Sequence, residues 1–193
     1  MLPRTSRVGD DGSMFRIPVD ETLDLVLLEQ RHAPMLYAVI DENRAHLRKW
    51  LPWVDNTRSV NDSLGWIQMV LDQFAKGMSL NVGMFSQGML VGICGYHTID
   101  WANRRTSIGY WLASGQQRKG LMTRAVRALT THAFVSLQLN RLEIRAALEN
   151  KKSRAIPERL GYRYEGQCRG AEWLYDHFVD HAIYGMLASE WRG

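Results

Sequence analysis

Only two cysteines occur in the 193 residues, Cys94 and Cys168. They lie far apart and neither has a CxxC partner, which excludes a zinc ribbon and a disulfide framework and leaves two packed thiols. Long apolar runs are also missing. Nothing nears the roughly 20 residues that a membrane-spanning helix needs, so a soluble protein with no membrane partner is expected. The first thirteen residues, MLPRTSRVGDDGS, have no apolar stretch of the kind a secretory signal carries; they read as a disordered lead, and a cytoplasmic location follows. GxGxxG is absent, and so is GxxxxGK followed by Ser or Thr, which removes dinucleotide and P-loop sites in their usual form. Charge of a single sign is lacking too. The net charge is +4, but the basic residues are interleaved with acids, so direct nucleic-acid binding is not expected. There is no internal repeat or linker, and the length suits one well-buried domain over residues 14–193.

What the sequence does contain is organised around Gln116 to Thr123, QQRKGLMT. Before it, in TSIGYWL, Ile108, Tyr110 and Leu112 alternate with Gly109 and Trp111, the period of a strand. After it, Met122, Ala125, Val126, Leu129, Ala133 and Leu137 recur at helical spacing, predicting a helix that ends near Leu137. A strand therefore enters a helix through a basic loop. The first amides of a helix have no internal partner, and its dipole favours negative charge there. Gly120 lets a ligand approach the backbone, Arg118 and Lys119 add charge, and Thr123 adds a hydroxyl, so the junction suits a phosphate.

The pattern Gln117, two residues, Gly120, one residue, Met122 resembles the pyrophosphate loop of the GNAT superfamily of acyl-CoA-dependent N-acyltransferases. GxM followed by Thr is similar to the variant of the RimJ/RimL group of ribosomal-protein N-terminal acetyltransferases. Arg118 stands where that family often has glycine. A second segment, ENKKSRAIPERLGY, resembles another GNAT signature through Asn150, Ser153, Gly161 and Tyr162. The resemblance implies acetyl-CoA as co-substrate and no metal. It places CoA against Trp111, Leu112 and Ala113 at the end of the strand, against Gln117, Arg118, Lys119, Gly120, Leu121, Met122 and Thr123 in the loop, and against Asn150 and Ser153.

The remaining segments supply the rest of that family's order. Glu21 to Leu28 alternates as a first strand, and Arg31 to Asn43 carries a helical stripe. Ser59 and Asp62 form a capping box for a helix that closes near Gly77. Met78 to Phe85 and Met89 to Tyr96 flank a short glycine turn as a hairpin. Arg141 to Ala147 alternates as a strand. A short helix follows, and Pro157 is expected within or near its first turn, implying a start around Lys152 or Ser153. Strands around Tyr162 to Arg169 and His177 to Leu187 end the chain. The expected architecture is thus an α/β GNAT fold, a mixed central sheet of about seven strands flanked by about four helices.

Acyl transfer from a thioester to an amine needs a held donor, a deprotonated nucleophile, a polarised carbonyl and a proton for the departing thiolate. Many GNAT members use a tyrosine four residues beyond the small residue of the second signature as that acid; here Pro157 stands in its place. In RimJ/RimL-like proteins the equivalent of Ser153 is the proposed donor, and Ser153 also suits a helix N-cap. The resemblance makes Glu172, in RGAEWLYD, the leading general base, with Asp176, Asp180, Glu149, His97 or a water relay as competitors. It also sets Trp50 and Trp53, in HLRKWLPW, beside the acceptor; without it, two tryptophans around a proline read as core. A backbone amide near Trp111 to Ala113 would polarise the carbonyl. His177 and His181 are four apart, but their surroundings read as strand, so a metal is not expected.

The expected function is acetyl transfer from acetyl-CoA to a primary amine, with a protein N-terminal α-amine of ribosomal-protein type as the acceptor and a homodimer as the assembly. Two alternatives stand beside it: an acetyl- or succinyltransferase acting on an antibiotic, polyamine or amino acid, and a non-catalytic CoA-binding regulatory module.

Overall fold

Short alternating strands and amphipathic helices must bury their apolar faces together, and here they do so in three layers. The computed structural model describes residues 15–193; the expected lead of residues 1–13 lies outside the described residues. In chain order the elements are β1 (Arg16–Pro18), β2 (Leu23–Leu27), α1 (Ala33–Glu42), α2 (Arg44–Leu47), α3 (Val60–Ala75), β3 (Leu80–Ser86), β4 (Met89–Tyr96), β5 (Arg105–Leu112), α4 (Leu121–Thr131), β6 (Arg141–Ala147), α5 (Lys151–Arg159), β7 (Arg163–Leu174) and β8 (His177–Leu187). The strands form one sheet in the order β1-β2-β3-β4-β5-β6-β8-β7.

The sheet has eight strands where about seven were expected. The addition is β1, whose three residues end on a proline, tolerable because it sits at the sheet edge. The fifth helix is the single turn of α2, which continues α1 past Asn43. Ser59 and Asp62 do form the capping box of α3. Beyond α4 the chain widens into a π-helical turn over His132–Ser136, which carries the apolar stripe on to Leu137.

One correction concerns α5. It starts at Lys151 and holds Pro157 in its interior, not in its first turn. A proline there removes one backbone hydrogen bond and ordinarily costs about 3 kcal/mol. The carbonyl it abandons, that of Ser153, is satisfied from outside the helix by the Tyr110 hydroxyl at 3.0 Å.

The core is divided by the sheet. On one side Leu121, Met122, Ala125, Val126 and Leu129 of α4 and Ile156 of α5 pack on Leu25, Val82, Cys94, Ile108 and Ile144. On the other, Leu36 and Ile40 of α1 and Ile67 of α3 pack on Val26, Phe85, Leu90 and Ile93. Each Val, Leu, Ile, Phe or Met side chain among them, fully buried, contributes about 1.5–3 kcal/mol. Tyr110 packs against the first of these clusters and Trp111 against the second, as successive strand residues must.

The sheet is antiparallel except between β5 and β6, and that pair is where the site forms. Only Arg105, Thr106 and Ser107 pair with β6, opposite Arg141, Leu142 and Glu143. From Ile108 to Leu112, β5 stays with β4 and parts from β6. The Ser107 carbonyl accepts from the His97 N–H and the Ala113 N–H donates to the Val91 carbonyl. Odd-numbered residues between them therefore turn their backbone groups to β4, and Ile108, Tyr110 and Leu112 turn theirs into the opening.

Candidate active site

The opening between β5 and β6 is part of one cleft of about 1950 Å³. Trp50, Trp53, Trp66 and Met69 line it on one side of the sheet, and Gln117, Arg118, Gly120 to Thr123, Asn150 and Ser153 line it on the other. Glu172 and His181 also face it. Such a passage can admit two reactants from opposite sides.

The loop before α4 has the backbone of an anion cradle. Gly120 caps the helix at φ 72° and Arg118 also has a left-handed φ, 65°. Left-handed residues among helical ones turn successive amides inward as a nest for phosphate oxygens. That geometry is the physical reason for glycine at the position of Arg118, since a side chain there costs about 1–2 kcal/mol. Lys119 donates to Gln116 Oε1 at 2.9 Å, and the Thr123 hydroxyl accepts from Arg159 at 3.2 Å, which brings a third basic group to the loop.

Gln117 lies in a directed chain of hydrogen bonds. The Lys152 ammonium can only donate, and it does so to Gln117 Oε1 at 2.9 Å. That leaves the Gln117 amide nitrogen, 2.9 Å from His46 Nε2, as a donor to an unprotonated ring nitrogen. The proton of the neutral ring therefore sits on Nδ1, and the ring also bonds the Leu112 backbone. Burial, then the nearby Lys152 charge, lower the His46 pKa, while the Leu112 bond acts in the opposite sense. His46 and Lys152 thus join the end of β5 to the phosphate loop. Sequence reasoning missed both roles, because their segments were read through the tryptophans and through Ser153.

Asn150 caps α5 by accepting from the Ser153 N–H at 3.2 Å. The Ser153 hydroxyl donates to the Tyr110 oxygen at 3.3 Å. Of the backbone at Trp111, Leu112 and Ala113, the Ala113 N–H is used by β4 and the Leu112 groups face the opening.

On the tryptophan side, the Trp53 and Trp111 rings lie 6.1 Å apart, and Trp50 lines the same wall. Glu172 comes from β7 through a bulge: Cys168 pairs with His181 but Glu172 pairs with Val179, so two extra residues enter β7. Gly170, at φ 56°, makes the turn, and Asp180 holds it by accepting from the Gly170 N–H at 2.7 Å and from Gln167 Nε2 at 2.5 Å. Beside the bulge, Glu172 Oε2 lies 3.4 Å from His181 Nε2. His181 is a second ionisable side chain on the cleft that sequence reasoning did not place here. Among the competing bases, Asp180 is committed to the bulge and Asp176 is an exposed partner of His177, whereas Glu149 and His97 line the cleft. His97 is held by Ser107 Oγ at 2.8 Å, and its ring covers Gly109 so closely that a Cβ there would meet Nε2 at 2.5 Å.

The Tyr175 hydroxyl, at the tip of the β7–β8 hairpin, donates to the Leu51 carbonyl at 2.7 Å, and the Arg48 guanidinium stacks 3.8 Å above its ring. Hairpin and tryptophan segment are thereby stitched into one wall. No group of three or more His, Cys, Asp or Glu placed to hold a metal occurs among the described residues, and no described helix is long and apolar enough to cross a membrane.

Residues 22–163 match the GNAT acetyltransferase domain family. The chain is 37% identical over 183 residues to YdaF of Bacillus subtilis (strain 168), a candidate ribosomal N-acetyltransferase, covering 93% of this chain and 99% of that one. Among solved structures, it is similar to RimL, a ribosomal L7/L12 α-N-protein acetyltransferase in complex with coenzyme A, at TM-score 0.87 and 27% identity over 90% of this chain and 98% of the other. It is also similar to the microcin C7 self-immunity acetyltransferase MccE in complex with acetyl-CoA and AMP, at TM-score 0.85 and 27% identity over 89% of this chain and 95% of that one.

Proposed function

The chain belongs to the GNAT acetyltransferase family and is an N-acetyltransferase, and from that premise we propose that it moves the acetyl group of acetyl-CoA to a protein N-terminal α-amine of ribosomal-protein type. The observation that carries the proposal is the through-going cleft, with a phosphate nest on one side and a carboxylate–imidazole pair facing the other. Similarity to RimL over most of both chains supports the acceptor class. We assign the assembly as a homodimer in the cytoplasm.

Direct attack accounts for the arrangement. The amides of residues 119–122, with Arg118, Lys119 and the Thr123 hydroxyl, hold the pyrophosphate. Trp50, Trp53 and Trp111 present the acceptor, and Glu172, backed by His181, takes the proton that makes the amine nucleophilic. The Leu112 N–H donates to the oxyanion as the amine nitrogen bonds the thioester carbon. As the C–S bond breaks, the Ser153 hydroxyl gives its proton to the thiolate. Positioning of this kind corresponds to effective molarities on the order of 10⁵ M or more, so no covalent enzyme intermediate is needed. Burial drives the Cys94 thiol far above its ordinary range, which removes it as a nucleophile.

Thiol release from acetyl-CoA, measured with N-terminal peptides and with small amines, tests the proposal. Peptide-dependent release that falls about 10²-fold or more in Glu172→Gln and Ser153→Ala, with CoA binding retained, is the expected result. Release driven only by small amines would replace it with the second reading, a small-molecule acetyltransferase, which the similarity to MccE favours. Light scattering distinguishes one chain from two.

A further inference from the structure

Pro157 and Tyr110 form one device. Pro157, in the interior of α5, has no N–H for the carbonyl four residues earlier, that of Ser153. In an unbroken helix that carbonyl would be occupied. Here it is open, and the Tyr110 phenol donates to it at 3.0 Å. The same phenol oxygen accepts from the Ser153 hydroxyl at 3.3 Å. Asn150 accepts from the Ser153 N–H at 3.2 Å. Every polar group of Ser153 is thus assigned a partner, and two of the three bonds go to one residue on β5.

We propose that Tyr110 is the positioning residue for Ser153, holding its hydroxyl toward the cleft, and that Pro157 is the feature of the sequence that makes the bond possible. The inference rests on reading Ser153 as the acid. Ser153 stands in the first turn of α5, with no helical turn before it to take its hydroxyl, so Tyr110 is the partner that fixes the side chain, and the serine proton leaves Tyr110 for the thiolate as the C–S bond breaks. When the thiolate forms, the Ser153 O–H bond breaks and an S–H bond forms, leaving an alkoxide beside the phenol. The Tyr110 O–H then turns from the Ser153 carbonyl to that oxygen and donates to it, and the serine recovers its proton from solvent once the thiol has left.

The test is a double-mutant cycle on acetyl transfer, with kcat and the KM for acetyl-CoA read separately. Tyr110→Phe should lower kcat roughly tenfold, the effect of one directed hydrogen bond, with KM for acetyl-CoA unchanged. Combined with Ser153→Ala it should cost nothing beyond Ser153→Ala alone. Pro157→Ala, which returns an N–H to compete for the Ser153 carbonyl, should lower kcat severalfold while thermal stability holds or rises. Full activity in Tyr110→Phe, or a double variant whose loss is the product of the two single losses, would overturn the positioning role while leaving Ser153 as the acid. Full activity in Ser153→Ala would instead overturn the acid assignment, and this inference with it.

Discussion

Asn43 Oδ1 accepts two hydrogen bonds from Ser114, one from its backbone N–H at 2.8 Å and one from its hydroxyl at 2.9 Å. Asn43 is buried at the junction of α1 and α2, with its amide nitrogen donating to the Val39 carbonyl at 2.8 Å. Ser114 is the second residue after β5, where the chain turns toward the phosphate loop. The helix junction therefore fixes where that loop begins. Asn43→Ala leaves the Ser114 N–H unpaired, at a cost of about 1–3 kcal/mol. The expected outcome is a lower Tm and a severalfold higher KM for acetyl-CoA, with the KM for acceptor little changed; equal rises in both constants would sink this role.

Arg118 combines a charge with a backbone conformation that favours glycine. Two substitutions separate the contributions. Arg118→Ala and Arg118→Gly lose the same charge, but only alanine retains the left-handed strain, about 1–2 kcal/mol. Both variants should bind CoA more weakly than the parent and with a shallower dependence on salt. Calorimetry should find the glycine variant binding severalfold tighter than the alanine variant. Equal affinities would mean that loop conformation is not limiting.

The strand–loop–helix junction was legible because each part carries its own pattern: alternation in TSIGYWL, glycine at the turn, and helical spacing after Met122. The capping box of α3 was readable for the same reason. β1 was not, since three residues ending in proline leave no period to detect. Pro157 was misplaced because local rules push a proline to the first turn, whereas the cost is offset by a hydroxyl from Tyr110, distant in sequence. The Glu172–His181 pair was missed although counting back from the turn pairs Glu172 with Val179 and puts His181 two residues along the same face; what the sequence hides is the bulge around Gly170, which breaks the register beyond that point. The chain Lys152–Gln117–His46 joins three separate segments and leaves no local mark on any of them.

That chain makes the protein sensitive to mild acid. The folded state holds the His46 pKa below its ordinary 6.5, through burial and then through Lys152, with Lys49 adding a smaller effect. Between the lowered value and 6.5 the unfolded chain binds more protons than the folded one, so stability rises with pH across that window and levels off above it. A proton on Nε2 would also set a donor against the Gln117 amide and break the chain. Thermal melts should show Tm climbing up to about pH 6.5 with a shallower slope in His46→Gln, and the KM for acetyl-CoA should rise on the acid side in the parent alone. Identical slopes in the two proteins would assign the acid sensitivity elsewhere, with His132, also lowered by burial, the next group to replace.

In the proposed mechanism, the wall joining Tyr175 to Leu51 bears on the acceptor alone. Tyr175 has φ 61° at the first position of a two-residue hairpin turn, a place that suits glycine, and a tyrosine is retained there by the Leu51 hydrogen bond and the Arg48 stack. Arg48 is in turn fixed by Asp55 at 3.0 Å, so the segment carrying Trp50 and Trp53 is held at both its ends. Tyr175→Phe removes only the hydrogen bond, about 0.5–1.5 kcal/mol, and keeps the ring under the guanidinium. Tyr175→Ala removes the cation–π contact as well. The acceptor KM should therefore rise in two steps, a few-fold for phenylalanine and further for alanine, while the KM for acetyl-CoA stays constant. Steady-state kinetics with a peptide acceptor reads both constants. If the two rise together, the hairpin braces the whole sheet opening and not the acceptor wall.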